Sequence, residues 1–415
     1  MAILFRENHK LSYLDVISIV SACLVPLLVT GPFLPDLVVS LLSLWFLFYS
    51  LKNKMYSIYQ NIYFYFFISF CLICILSSLL SDDIFFSLKS SLFYFRIGIF
   101  ALLISYLIDH NRKILDYFYY AFLVTIPTLI FDGYFQYLTG SNLFGYGIHG
   151  IRVSSFFGNE LILGSYLTRL FPLFFALFVS RPNKSFFEII GISILFILID
   201  ILIFLSGERA AFVLLNLSTV FIIFFISKYK WLRLCVFVIS LMTVTLITLN
   251  NSELKYRFIE SPANNMGFDS SKSKRYIFTP AHDSLIRTAW NMFLDKPILG
   301  HGPKLFRIKC KDSKYATGIK PCDTHPHNFY IQLLAETGLL GFSFLAGLFL
   351  YFIYLMLRHI VEYFKNKRTW LTDYQICLLS GLLITIWPLT SNGSIFTNYL
   401  MLLYGLQMGF FKKHI

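Results

Sequence analysis

Apolar residues run along most of this chain in blocks of about 20, the length at which an α-helix crosses the hydrocarbon core of a bilayer. Such blocks fall at 11–29, 33–51, 58–80, 87–108, 113–138, 160–180, 186–206, 208–227, 231–250, 327–357, 372–390 and 394–411. They predict an all-α polytopic membrane protein with about twelve transmembrane helices. One long polar stretch, 251–326, interrupts the series. The chain therefore divides into helices one to nine over 1–250, a large loop with short helices over 251–326, and helices ten to twelve over 327–415.

Within the loop, Asn250 to about Thr279 is rich in Ser, Asn and Lys and is expected to be mobile. Residues 281–294 place apolar side chains at helical spacing on Leu285, Ala289 or Met292, and Phe293, which predicts an amphipathic helix lying along the membrane. Asp295-Lys296-Pro297 stops it, and a glycine turn follows at Ile298-Leu299-Gly300-His301-Gly302. The loop ends on Thr324-His325-Pro326-His327-Asn328, at the mouth of the next apolar helix.

Charge orients the bundle. Counted from a cytoplasmic N-terminus, every inside segment is basic: Arg6 and Lys10, Lys52 and Lys54, Arg112 and Lys113, Arg181 and Lys184, Lys228, Lys230 and Arg233, then Arg358, Lys365, Lys367 and Arg368, and finally Lys412 and Lys413. Of the short outside connections only 139–159 carries a basic residue, Arg152. This is the positive-inside pattern, so both termini are expected in the cytoplasm. The 251–326 loop is long enough to translocate despite its charge and is expected on the outer face.

Composition removes one class of function. The chain is 57% hydrophobic and 14% charged, whereas soluble domains carry about 25% charged residues. Its net charge of +13 is accounted for by loop position, so no nucleic-acid partner is expected. No small-residue cleavage motif follows Met1–Lys10, and the first span is expected to serve as the targeting signal. Cys23, Cys71, Cys74, Cys235 and Cys377 lie in spans as small packing residues, whereas Cys310 and Cys322 share the outer loop and are a disulfide candidate.

Charges near the ends of spans carry the chemistry. Arg209, in Ser206-Gly207-Glu208-Arg209, sits at a helix N-terminus, where a cation is unfavourable unless an anion binds there or Glu208 pairs with it. Arg152 precedes the sixth span in the same way, and Arg287 would join the two if its helix caps the bundle. Arginine suits a phosphate because its planar fork donates two hydrogen bonds at once. Arg96 and Arg169 lie in spans and read as structural, with Asp200 as a buried partner for one of them and Asp132 near a helix end. His325 and His327 suit general-base chemistry, since imidazole titrates near neutral pH. A metal site would need further ligands, and no metal or cofactor is expected. Tyr276, Phe278, Trp290, Tyr315 and Tyr330 are aromatic positions available to stack on sugars or to pack.

Arg152 before a span, Arg209 at a hairpin, and Leu285-Ile286-Arg287 with Lys296-Pro297-Ile298-Leu299-Gly300-His301-Gly302 in the loop form an ordered series. It continues in His325-Pro326-His327-Asn328-Phe329-Tyr330 and Leu334-Ala335-Glu336-Thr337-Gly338-Leu339-Leu340-Gly341. Across 150–345 this order resembles the O-antigen ligase family. The hairpin arginine departs from it, following Gly-Glu where Ser-Arg is usual. The resemblance implies a GT-C type membrane glycosyltransferase of the inner membrane with one large periplasmic loop. Its donor would be an undecaprenyl diphosphate-linked glycan held by Arg152, Arg209 and Arg287, its acceptor lipid A-core or another glycan. Transfer would be inverting and metal-independent, with His327 or His325 as the base, Glu336 and Asn328 supporting, and the prenyl tail among membrane lipids. An O-antigen polymerase uses the same chemistry, and a flippase for the lipid-linked glycan is the reading from another class.

Overall fold

A computed structural model describes residues 11–266, 276, 278–366 and 370–411. Among these residues the chain is helical, without β-strands, and two isolated bridges, Ser141 to Gly147 and His149 to Arg152, pin the connection after Thr139. Each of the twelve apolar blocks contains a helix. Eight described helices are long and apolar enough to cross a membrane: Phe33–Lys52, Ile62–Leu79, Ile84–His110, Ile114–Thr139, Leu163–Ser180, Phe186–Leu205, Lys230–Asn250 and Phe329–Lys365. Tyr13–Leu27, Arg209–Phe225, Asp373–Thr385 and Asn398–Phe410 are shorter.

The helix starts follow from local chemistry. Ser12 and Asp15 form a reciprocal capping box, as do Thr372 and Gln375, and the Asn61 and Ser185 side chains cap theirs. Each cap satisfies backbone N–H groups that a first helical turn leaves unpaired. Leu163–Ser180 is buried on all faces and packs on Asp373–Thr385 and Arg209–Phe225, so the bundle is built around it.

Buried charges are paired or hydrogen-bonded, though not always as the sequence suggested. Arg96 pairs with Asp36 at 2.5 Å. Asp132 accepts from the Leu143 N–H and the Ser155 hydroxyl, tying down the connection after its helix. Asp200 serves neither Arg96 nor Arg169; it pairs with Arg233 at 2.9 Å. Arg233 is therefore no loop cation. Its side chain is fully buried, hydrogen-bonded to Thr219 and stacked 4.5 Å from the Phe171 ring. Desolvating a guanidinium costs several kcal/mol, and a carboxylate with further donors and a ring face is what makes burial tolerable.

The large loop carries more structure than its composition suggested. Residues 252–266 are helical, in the pieces Ser252–Lys255, Tyr256–Glu260 and Ser261–Met266, where a mobile stretch was expected; 267–275 lies outside the described residues. The amphipathic helix is Pro280–Asp295, begun by Thr279 as cap with Pro280 in its first turn. Its buried stripe is Leu285, Thr288, Ala289 and Met292, packed on Phe306, Cys310, Tyr315 and Ala335 in a small separate core; Phe293 lies off the stripe. Cys310 and Cys322 are joined by a disulfide with Cα atoms 5.0 Å apart.

The predicted span 327–357 is not one straight helix. Gly338 adopts φ 64° and ψ −163°, a break that only glycine tolerates readily. Four hydrogen bonds tie the broken region to the turn before it: His301 N–H to Ala335 O, Gly302 N–H to Glu336 O, Leu339 N–H to Pro297 O and Leu340 N–H to Ile298 O. The Ser77 hydroxyl adds bonds to the carbonyls of Leu299 and Glu336. Gly300 makes the contact possible, because a Cβ there would lie 2.4 Å from the Glu336 carbonyl carbon. Gly300→Ala, also strained by φ +66°, should lower stability by about 2–4 kcal/mol. Gly191→Ala, with open space around it, should leave the thermal unfolding midpoint unchanged or slightly raised, and melting both purified variants in detergent checks the contrast.

Candidate functional site

The connections at one end of the bundle converge. Arg152 comes from the turn after the Ser141–Gly147 bridge, Arg209 from the first residue of Arg209–Phe225, and Arg257 from the helical pieces after Lys230–Asn250. All three gather around Gly207. Arg152 Nε donates to Ser206 O at 3.2 Å and its Nη2 to Leu161 O at 3.1 Å; Arg257 Nε donates to Gly207 O at 2.7 Å. Arg209 Nη1 lies 3.5 Å from both Arg257 O and Ser261 Oγ. Gly207 has φ +66°, and a Cβ there would strike Arg152 Cγ at 2.7 Å and crowd Arg257 Nε at 3.1 Å.

Among the described residues no carboxylate stands at ion-pair distance from these three guanidiniums. The nearest, Glu208, is engaged elsewhere. It accepts from Gly164 N–H at 2.7 Å, Ser165 N–H at 3.2 Å and Ser165 Oγ at 2.5 Å, capping the start of Leu163–Ser180. The Gly-Glu departure before Arg209 thus steadies a neighbouring helix, and the arginines bond backbone carbonyls rather than Glu208. Burial lowers the pKa of Arg257, and Arg152 and Arg209 push it the same way; burial also lowers that of Arg152, with Glu208 opposing. Cations held together at an uncapped helix N-terminus are an arrangement suited to an anion on electrostatic grounds.

The imidazoles stand nearby. His325 and His327 have ring centroids 4.2 Å apart, and His282 of the loop helix is 5.0 Å from His327. His325 is fully engaged, with Nε2 3.2 Å from Asn392 O and Nδ1 2.9 Å from Thr324 Oγ1. The carbonyl can only accept, so Nε2 carries the proton and Nδ1 receives the threonine hydroxyl. His327 is less constrained, its Nε2 3.7 Å from Asp323 Oδ2. Its backbone is left-handed at φ 56°, a conformation costing about 1 kcal/mol for a residue with a Cβ, held by Asn392 N–H donating to His327 O at 2.9 Å.

Asn392 also accepts from Arg169 Nη2 at 3.0 Å, so a buried arginine fixes the connection on which both histidines rest. Asn328 caps Phe329–Asn366, accepting from Tyr330 and Ile331 N–H, and donates to Pro388 O at 2.7 Å. Glu336 is buried and accepts from Phe306 N–H and Gln332 Nε2, which makes it a brace between the loop and the broken helix.

Burial holds all three imidazoles neutral. It pushes His325, with His327 beside it, down to about 4. His327 is lowered by burial more than Asp323 raises it, and His282 is lowered by burial, then by His327, Lys320 and Arg209. Burial opposes the Asp323 charge, but Lys320 and the Thr324 N–H outweigh it and hold that carboxyl at about 2. A neutral imidazole beside an ionised carboxylate is a base whose conjugate acid is stabilised once it forms. Among the described residues, no three His, Cys, Asp or Glu side chains are grouped to hold a metal ion.

Residues 192–346 match the model of one family, described as O-antigen ligase. Over that stretch, somewhat more than a third of the chain, the sequence is similar to the O-antigen ligase family. The match takes in Arg209, Arg257, His282, His325, His327 and Glu336, while Arg152 and Asn392 lie outside it. No curated protein matches the chain. That similarity supports a membrane glycosyltransferase of the O-antigen ligase and polymerase type.

The structure brings Arg152 and Arg209 together and sets His325 beside His327. Arg287 is 63% exposed and pairs with Asp283 at 2.7 Å, one turn earlier on the solvent face of its helix. Tyr315 and Tyr330 are packing residues, their hydroxyls bound to Asp295 and Ile386 O, and Trp290 lies against Phe293. Tyr276 N–H donates to Asn265 O, and Phe278 is half-buried just ahead of the loop helix. Arg257, His282, Asp323 and Asn392 join the site without having stood out in the sequence.

Because the folded protein binds protons at these histidines more weakly than the unfolded chain, their contribution to stability should be lost as pH drops below 6.5, that of His325 down to about 4. Nitrogen NMR of histidine-labelled protein in nanodiscs should show His325 neutral down to about pH 4, with His327 titrating below 6.5. A His325 signal that titrates near 6.5 contradicts the assignment.

Proposed function

We propose that this protein transfers a glycan from undecaprenyl diphosphate to lipid A-core on the periplasmic side of the inner membrane. The observation that supports it most is the set of three guanidiniums around Gly207, without a described carboxylate partner and close enough to the histidines for Arg209 to act on His282. In this reading both termini are cytoplasmic and the histidine end faces the periplasm.

His327 removes the proton from an acceptor hydroxyl, and Asp323 stabilises the imidazolium that results. The acceptor oxygen bonds to the anomeric carbon from the face opposite the phosphate, so the configuration inverts. As the carbon–oxygen bond to phosphate breaks, its electron pair goes to the diphosphate, which leaves as undecaprenyl diphosphate. Arg152, Arg209 and Arg257 supply the positive charge that such a leaving group needs, in place of a metal. His325, with both ring nitrogens engaged, positions the loop, and Glu336 and Asn328 brace it.

A lipopolysaccharide gel of a deletion strain should lack capped core while undecaprenyl-linked chains accumulate. Core bearing a single unit would assign the protein as a polymerase, and unchanged lipopolysaccharide would point to another glycan or to transport. In a purified assay His327→Ala should lower transfer about 100- to 10,000-fold. Asp323→Asn removes a charge that raises the His327 pKa, so the acid limb of kcat/KM should move to lower pH. An acid limb that stays in place would remove Asp323 from the mechanism.

A further inference from the structure

The arginine cluster opens into a cleft of about 420 Å³, within the size range of pockets that enclose small ligands. One wall is the turn His149–Arg152 and the other the face of Ser252–Arg257. Both walls are held independently of any ligand. His149 and Arg152 exchange backbone hydrogen bonds at 3.3 and 3.0 Å, and Asn251 caps the facing helix through Glu253 and Leu254 N–H. The helix then widens into a π turn over Tyr256–Glu260, a departure that re-aims side chains.

The cleft is chemically two-ended. Around Gly207 it presents Arg152 and Arg257, both without a described carboxylate at ion-pair distance. One helical turn before Arg257, Glu253 presents a carboxylate, and beside them Tyr256 presents a ring that is 57% exposed and stacks on no described aromatic. His149 faces them from the other wall. A second phosphate at that end would meet the charge of Glu253. A neutral group rich in hydroxyls would not: its hydroxyls can donate to the carboxylate and imidazole, and its C–H face can lie on the tyrosine ring.

We propose that this cleft is a sugar subsite for the donor, in which Tyr256, Glu253 and His149 hold the first sugar while Arg152 and Arg257 hold the phosphate bonded to it. The proposal rests on the donor assignment made above and adds where the donor's sugar lies and which residues recognise it. Tyr256 and Glu253 thereby discriminate among donors. They are positioning residues, and the proton and the leaving group belong to His327 and the arginines.

The test is binding of two probes to the purified full-length protein: undecaprenyl diphosphate, and undecaprenyl diphosphate carrying one N-acetylglucosamine. The sugar-bearing probe should bind about tenfold more tightly, a difference of about 1.4 kcal/mol. Tyr256→Ala should erase that preference and leave the affinity for undecaprenyl diphosphate unchanged, Tyr256→Phe should keep it, and Arg257→Gln should weaken both probes. Equal affinity of the unsubstituted protein for the two probes, or a preference that survives Tyr256→Ala, would overturn the subsite while leaving the diphosphate site standing. Binding of neither probe would overturn both.

Discussion

A helix that breaks inside a bundle exposes backbone N–H and C=O groups, and away from water each unpaired group costs free energy on the scale of a lost hydrogen bond. Here the break at Gly338 is met by the turn Pro297–Gly302, which supplies the partners for Ala335, Glu336, Leu339 and Leu340. That exchange welds the outer loop to the bundle. Gly300 and Gly338 permit it because neither backbone could approach the other past a Cβ. The position of the loop helix, the brace from Glu336 to Phe306, and the seat of the histidine turn on Asn392 all follow from this docking.

Electrostatics then separates two kinds of chemistry at one end of the molecule. Around Gly207 the fold concentrates cations and engages the adjacent carboxylate, Glu208, as a helix cap. At the seam it does the reverse, keeping imidazoles neutral by burial and leaving one ionised carboxylate, Asp323, beside the less constrained ring. Arg169, deep in the central helix, joins the two halves through Asn392. Positive charge where a phosphate leaves and a neutral base where a hydroxyl attacks are the complementary requirements of glycosyl transfer from a diphosphate.

How far this was legible in the sequence differs by interaction range. The apolar blocks were visible because span length is set by the bilayer, and each contains a helix. The loop helix was visible from its spacing, although its stripe proved to run through Thr288 and Met292 rather than Phe293. The break at Gly338 was hidden because apolar residues continue on both sides of it. Arg233 read as a loop charge because its partner Asp200 lies 33 residues earlier on another helix, and no local pattern announces such a pair. Arg257 was obscured by a polar stretch taken for mobile chain. Arg287 was the opposite case: Asp283, four residues before it, was a local signal that this arginine already had a partner on its own helix.

The central claim is that the Gly207 arginines hold the donor's diphosphate within reach of His327. A structure of the protein bound to a non-transferable analogue of an undecaprenyl diphosphate-linked sugar tests it most directly. The account predicts the phosphates within hydrogen-bond distance of at least two of Arg152, Arg209 and Arg257, with the His327 ring on the opposite side of the anomeric carbon. Phosphates bound away from Gly207, or a His327 ring turned from the sugar, would contradict it.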